Sequence, residues 1–320
     1  LTATLITGAT GTFGQAYVRH LLDSSSVDRI IVFSRDELKQ HAMRTSGFDD
    51  PRVRWFIGDV RDRDRLRRAM HGVTDVIHAA ALKQVPTCEY NPLEAVRTNV
   101  DGTANVIDAA IDAGVERVLM LSSDKACDPV NLYGATKLVA EKLIIDANAY
   151  AGGDGTRFAA TRYGNVISSR GSVLPLFQQQ ALNGEPITIT DPSMTRFVLT
   201  AQHAVRFVEK CLSHMSGGEL FVPKLPAVKV STVAEAVAAT VAWHVETRVV
   251  GARPGEKHHE LLVSANESGR TLDRSWHWLV RPLAMPWLEW DGDLLPAGVA
   301  VSSDSTPLLS VAEFMEMAGL

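Results

Sequence analysis

Residues 3–14, ATLITGATGTFG, decide the fold. Ala3 to Thr7 is a short apolar and β-branched run, which reads as a strand buried on both faces. It runs directly into Gly8, Gly11 and Gly14, and a helical pattern follows over residues 13–23. Glycines so placed let the backbone turn tightly and approach a pyrophosphate. The helix that follows offers amide N–H groups and the positive end of its dipole. The spacing is G-x-x-G-x-x-G, a variant of the commoner dinucleotide fingerprint. A glycine triplet alone also marks plain turns. Between a strand and a helix it points to Gly8, Thr10, Gly11, Thr12, Phe13 and Gly14 as a cofactor loop.

The alternation continues outward from that loop. Strands are predicted at 29–33, 53–57, 75–78, 117–121 and 158–163, and helices at 13–23, 63–70, 92–113 and 133–149. Repeated β-α-β order with right-handed crossovers predicts a doubly wound parallel α/β sheet. Residues 1–164 are expected to form this dinucleotide-binding unit, with segments of the second half returning to it. After Gly164, Gly and Pro punctuate a looser pattern, so residues 165–320 are expected to be mainly a smaller substrate-binding lobe and tail. Trp276, Trp278 and Trp287 read as packing residues of that tail.

The 320 residues are 46% hydrophobic and 22% charged with a net charge of −5, which fits an ordinary globular protein and disfavours a nucleic-acid binder. No apolar run reaches the ~18 residues of a membrane span, and the opening TATLITG reads as a strand rather than a signal peptide. Cys88, Cys127 and Cys211 form no C-x-x-C pair, and His258-His259 has no metal-ligand spacing around it, so no metal is expected. A reducing, cytoplasmic location is the expectation.

Roughly twenty residues past the glycine loop, a dinucleotide site reads the adenosine ribose. An acidic residue there would suit NAD. Here Ser34-Arg35 follows the second strand and Lys39 is near, a hydroxyl and two cations that suit a 2′-phosphate. NADP is therefore expected over NAD. Asp36 and Glu37 stand beside these cations, so solvation of a helix start is the competing reading. Asp59-Val60 ends the third strand, where an adenine could be held. Ala79-Ala80-Ala81 ends the fourth and leaves room for a cofactor to lie flat.

Residues 122–137 carry the chemistry. Tyr133 and Lys137 are four apart, on one face of a helix. A phenol titrates near about 10, and a neighbouring ammonium favours its phenolate. Tyr133 can then take a proton from a sugar hydroxyl while Lys137 holds the nicotinamide ribose. Ser122 precedes a second pair, Asp124-Lys125. Oxidation alone does not need that pair. A dehydration does, because one group removes a carbon-bound proton and another protonates the departing hydroxyl. A loop ion pair of little consequence is the plainer alternative.

These residues resemble the short UDP-N-acetylglucosamine 4,6-dehydratases of the extended short-chain dehydrogenase/reductase superfamily, particularly those that invert C5. The matching stretches are TGATGTFG, FSRDELKQ, HAAALKQVPTCEYNPLEAVRTNVDGTANVI, LSSDKACDPVNLYGATKL, RYGNVISSRGSVLPLF, ITDPSMTRF and RPGEKHHE, within residues 4–262. The resemblance implies oxidation at sugar C4, loss of water across C5–C6 and hydride return to C6. Tyr133 would accept the C4 hydroxyl proton, Lys125 the C5 proton, and Asp124 would protonate the leaving hydroxyl. It also implies Tyr163 and Val166 at the cofactor, with the 166–170 loop closing over it. Lys83, Asn165, Val173, Thr190, Arg196, Arg253 and Glu256 would contact the UDP-sugar. Retaining relatives tend to carry Met at the position of Tyr133, which leans towards inversion. A homo-oligomer, dimer to hexamer, is implied as well. Cys127-Asp128 departs from the small or amide residues of relatives.

Other readings stay open on the same residues. A C5-retaining dehydratase fits the same acid–base set. A nucleotide-sugar 4-epimerase would keep Tyr133 and Lys137 without needing Asp124–Lys125. A non-enzymatic NADP-binding regulator would not need the Tyr and Lys that are both present.

Overall fold

The computed structural model describes residues 2–24, 26–152, 155–169, 171–283, 285 and 290–320. Trp287, and Arg170 of the 166–170 loop, lie outside the described residues.

Strands β1 (Ala3–Thr7), β2 (Arg29–Ser34), β3 (Val53–Ile57), β4 (Asp75–His78), β5 (Arg117–Leu121) and β6 (Arg157–Thr161) stand in the order β3-β2-β1-β4-β5-β6. All five neighbouring pairs are parallel. Helices cover both faces, so β1 and β4 are buried at every position rather than at alternate ones. The chain order reverses between β1 and β4. In open α/β sheets that switch point, outside the strand C-termini, is where ligands bind.

The second half returns to this sheet. Leu220–Pro223 runs parallel to β6, and His277–Val280, Thr271–Asp273 and Asp293–Leu294 add antiparallel strands beyond it. The helix Ala201–His214 packs against Thr12–Asp23, and Tyr17 donates its hydroxyl to Glu209 at 2.7 Å. Trp276 packs here, stacked on Phe221 with Lys210 over its ring. A separate core of Leu174, Phe177, Ile187, Met194, Val233 and Phe314 holds the smaller lobe together. Each such side chain contributes about 1.5–3 kcal/mol by leaving water. Among the described residues no helix is long and apolar enough to cross a membrane.

Two local departures from the regular pattern matter for the site. The helix expected at 92–113 is interrupted by a π-helical turn, Arg97–Asp101, which turns Thr98 and Asn99 into the interior. The short helices Glu37–Met43 and Val85–Tyr90 give too few turns for a periodic signal.

One ion cluster ties the two halves together. Arg162, fully buried, reaches Glu141 at 2.6 Å and Glu267 at 2.7 Å, and donates to the Leu262 carbonyl at 3.0 Å. Glu141 lies on the helix Leu132–Asp146, one turn beyond Lys137, whereas Glu267 caps a helix of the second half. Removing one partner would strand a buried charge, at a cost of about 3–5 kcal/mol.

Candidate active site

A cavity of about 610 Å³ opens at the switch point between β1 and β4. Gly8 turns the chain out of β1 at φ +67°, and a Cβ there would lie 2.9 Å from the Ala80 Cα, so only glycine fits. The Thr7 hydroxyl accepts from the Ala79 and Ala80 amides at 3.1 Å each, which fixes the end of β4 beside the loop. Gly11 caps the helix Thr12–Asp23 without a side-chain acceptor for its first-turn amides. Gly8, Thr10, Gly11, Thr12, Phe13 and Gly14 all line the cavity, as do Val60, Ala79, Ala80, Ala81 and Ser122. Tyr163 and Val166 line its far wall.

The cavity wall is chemically suited to a polar dinucleotide. Ser122 Oγ, Thr98 Oγ1, Asn165 Oδ1 and Ser172 Oγ, on residues that line it, are buried without a protein partner. Orphaned buried polar atoms are costly unless a ligand or water satisfies them.

At the adenosine end the cations are already spoken for. Arg35 lies 3.5 Å from Asp59, and Lys39 lies 2.8 Å from Asp36, the carboxylate that also caps its helix. The Ser34 hydroxyl accepts from Gln40 at 3.0 Å. A 2′-phosphate entering here would meet the Asp36 carboxylate, to which a ribose hydroxyl could instead donate. Asp59 does not reach the cavity, because Arg61 holds it at 2.7 Å from the other side.

The segment predicted to carry the chemistry is built by a tight junction. Asn131 caps the helix Leu132–Asp146 by accepting from the Gly134 amide at 2.8 Å. The first turn of that helix presses on the turn Asp124–Ala126, and a Cβ on Gly134 would sit 2.1 Å from the Lys125 carbonyl oxygen. This contact brings Tyr133 and Lys137 into one cavity with Asp124 and Lys125.

Burial pushes the Tyr133 phenol up; a hydrogen bond to Ser123 and the Lys125 charge pull it down without cancelling the rise. The cation acting on the phenol is thus Lys125. Lys137 instead donates to the Leu121 carbonyl at 2.6 Å, and burial lowers its pKa to about 8 against the pull of Glu141. Asp124 is 1% exposed, and its Oδ1 accepts from Ser123 at 2.9 Å and from Lys125 at 3.1 Å, while Oδ2 has no partner. Burial raises its carboxyl, the Lys125 charge opposes this, and Glu260 raises it again. Lys125 also lies 3.1 Å from Glu260. Burial works against its ammonium, but Asp124 and Glu260 outweigh burial and hold it above the ordinary lysine value.

Of the residues assigned to the sugar nucleotide, Lys83 and Asn165 line the cavity. The others do not. Val173 begins the helix after Ser172, and the Thr190 hydroxyl turns to Met194. Arg196 donates to the carbonyls of Thr195 and His258 at 2.8 and 3.0 Å, with Glu256 3.9 Å away. Arg253 is exposed, and its amide donates to Glu256 at 3.2 Å across one turn. The Arg196 guanidinium is satisfied within the smaller lobe. The sequence reading misses Ser123, Ser172, Thr98 and Glu260. Ser123 was visible in SSDK, whereas Thr98 depends on a π-turn that regular periodicity hides. Cys127, buried, donates to Glu267 at 3.4 Å, and Asp128 takes φ +45°, unusual for a non-glycine residue.

Residues 4–281 match the family model described as polysaccharide biosynthesis protein. The UDP-N-acetylglucosamine 4,6-dehydratase (inverting) of Campylobacter jejuni is 44% identical, over 98% of this chain and 96% of that one. A UDP-glucose 4-epimerase of Rickettsia rickettsii is 45% identical, over 84% of this chain and 80% of its own. Among solved structures, Pen from Bacillus thuringiensis superposes with a TM-score of 0.92 at 36% identity, covering 98% of this chain and 96% of that one. MoeE5, at 27% identity and TM-score 0.68 over 79% of this chain and 87% of its own, was solved with UDP-glucose and NAD. It was solved with UDP-glucuronic acid and NAD as well. The expectation of NADP is thereby corrected: MoeE5 was solved with NAD, and Arg35 and Lys39, which line the cavity, are paired with Asp59 and Asp36. The chain belongs to the polysaccharide biosynthesis protein family and is an enzyme of the nucleotide-sugar dehydratase and epimerase group, within the extended short-chain dehydrogenase/reductase superfamily.

Proposed function

We propose that the chain is an NAD-dependent UDP-N-acetylglucosamine 4,6-dehydratase that inverts C5. The observation that carries this reading is the placement of Asp124 and Lys125 in the same cavity as Tyr133 and Lys137. C4 oxidation uses only the second pair. The first pair is the acid and base that elimination requires. The likeness to the Campylobacter dehydratase over nearly the whole chain supports it.

NAD, when bound, supplies the hydride acceptor for C4 and the donor for C6. Tyr133 takes the O4 proton, and Lys137, buried beside it, orients the ribose. With the 4-ketone formed, the C5 hydrogen becomes acidic. Lys125 removes it and Asp124 protonates the C6 hydroxyl as water leaves. Burial raises the Asp124 carboxyl, which suits a proton donor. Asn165 and Lys83 face the sugar nucleotide from the cavity wall.

The 4-epimerase reading rests on the Rickettsia relatives. It leaves the buried Asp124 and its paired Lys125 without a task. Turnover of UDP-N-acetylglucosamine in D₂O separates the two. A product that has lost water, with deuterium at C5 and inverted C5 geometry by NMR, is expected. An isomer of unchanged mass would sink the dehydratase reading.

A further inference from the structure

Lys125 meets a chemical difficulty as a base. It sits between Asp124 and Glu260, each 3.1 Å from Nζ, and both carboxylates are almost fully buried. An ammonium so held cannot accept the C5 proton. Glu260 ends the RPGEKHHE stretch and does not line the cavity. Its backbone is pinned by the Ser303 hydroxyl at 2.9 Å, and Ser303 is itself bonded to Thr195 at 2.6 Å. Its Oε2 has no hydrogen-bond partner, and the Lys257 ammonium stands 3.9 Å from it. A buried carboxylate with one oxygen unsatisfied is expensive to keep as mere scaffolding.

The charged groups around the pair come from several elements. Asp124 faces Lys125 from its own turn, Tyr133 from the helix Leu132–Asp146, and Arg196 from the strand Thr195–Leu199. Arg196 and Lys257 face Glu260. With water present these charges sustain one another. Substrate covering the cavity excludes water and penalises every charged form. With Asp124 carrying the proton it later donates, losing the Lys125 proton to solvent would leave Glu260 an unbalanced carboxylate. Passing it to Glu260 removes two opposite charges at once.

Resting on the dehydratase reading above, we propose that Glu260 is a positioning residue for the elimination: it holds Lys125 at the cavity wall and takes one Nζ proton when substrate closes over the pair, so that Lys125 meets C5–H as a free amine. An N–H bond of Lys125 breaks and an O–H bond forms on Glu260. The amine lone pair takes the C5 proton, the C5–H electrons become the C5–C6 double bond, and the C6–O bond breaks with a proton from Asp124. Lys125 then carries the C5 proton, Glu260 the borrowed one, and Asp124 has given one to water. Reprotonation of C5 and the proton that Tyr133 took from O4 restore the balance.

The test compares the wild-type holoenzyme with Glu260→Gln on UDP-N-acetylglucosamine in D₂O, reading C5 exchange against pH. Internal transfer makes wild-type exchange flat between about pH 7 and about pH 9, below the free lysine range. In Glu260→Gln the proton must leave to solvent. Exchange then falls by ~10²-fold at neutral pH and rises about tenfold per pH unit. Single-turnover C4 oxidation and NAD affinity stay unchanged, and Glu260→Asp restores the flat profile. A flat profile in Glu260→Gln, or undiminished exchange, overturns the proposal. Should that variant not fold, the wild type decides, since a tenfold rise per pH unit there overturns it and a flat profile upholds it. A wild type that makes no dehydrated product overturns the dehydratase reading itself, and the role of Glu260 with it.

Discussion

Replacing Gly134 with alanine sets two physical effects against each other. Within a helix, alanine is favoured over glycine by about 1 kcal/mol, so propensity alone predicts a more stable protein. The added Cβ, however, would lie 2.1 Å from the Lys125 carbonyl oxygen and 3.1 Å from the Pro129 Cβ. The first contact is with backbone and cannot be relieved by a rotamer change. The helix Leu132–Asp146 must move by about 1 Å from the turn Asp124–Ala126, and overpacking of this kind costs about 1–3 kcal/mol. Net stability should therefore fall by about 0–2 kcal/mol, read from urea midpoints. Activity is the sharper readout. The shift separates Tyr133 and Lys137 from Asp124 and Lys125, and a misplacement of about 1 Å costs ~10²-fold in turnover. The glycine loop lies on another strand, so NAD affinity should fall far less than turnover. Turnover of UDP-N-acetylglucosamine within about threefold of wild type would show that the junction does not set the catalytic geometry.

Other perturbations give distinct outcomes. Tyr133→Phe should lower turnover by about 10²–10⁴-fold while NAD still binds; a smaller loss would remove Tyr133 as the O4 proton acceptor. Lys125→Ala should abolish C5 exchange in D₂O yet leave C4 oxidation measurable in a single turnover, and normal exchange would exclude Lys125 as the base. NAD should bind more tightly than NADP in equilibrium titration, because Asp36 and Asp59 already occupy the cations at the ribose; the reverse order would refute that account. Burial pushes Glu267 up, but Arg162 outweighs it and holds the carboxyl at about 2, below its ordinary 4.5. A carboxylate depressed in the folded state stabilises fully above 4.5 and loses that contribution as pH falls towards 2. The loss is on the order of 3 kcal/mol, and Glu267→Gln should flatten this limb in urea midpoints measured against pH.

Much of the site was legible because its signals are local. The glycine loop, Asp124-Lys125 and the Tyr133/Lys137 spacing each lie within a few residues of a strand end, and their geometry follows from one strand and one turn of helix. The doubly wound sheet was legible for the same reason, since each buried strand carries its own apolar run. The substrate assignments fared differently. Arg196 is held by carbonyls and by Glu256 within the smaller lobe, whose looser pattern predicts no contacts.

What sequence alone determined is the path of the backbone, the glycine loop at the end of the first strand and the two residue pairs that meet in the cavity. Tertiary structure decided where charges are compensated. Arg35 and Lys39 looked like a phosphate site until Asp59, arriving from the end of another strand, and Asp36, as a helix cap, were brought against them. Lys125 looked like a ready base until Glu260 closed on it from the second half of the chain. The physical reason is that backbone conformation is governed by near neighbours, whereas a buried charge is governed by whatever lies within a few ångströms, and only the folded chain sets that.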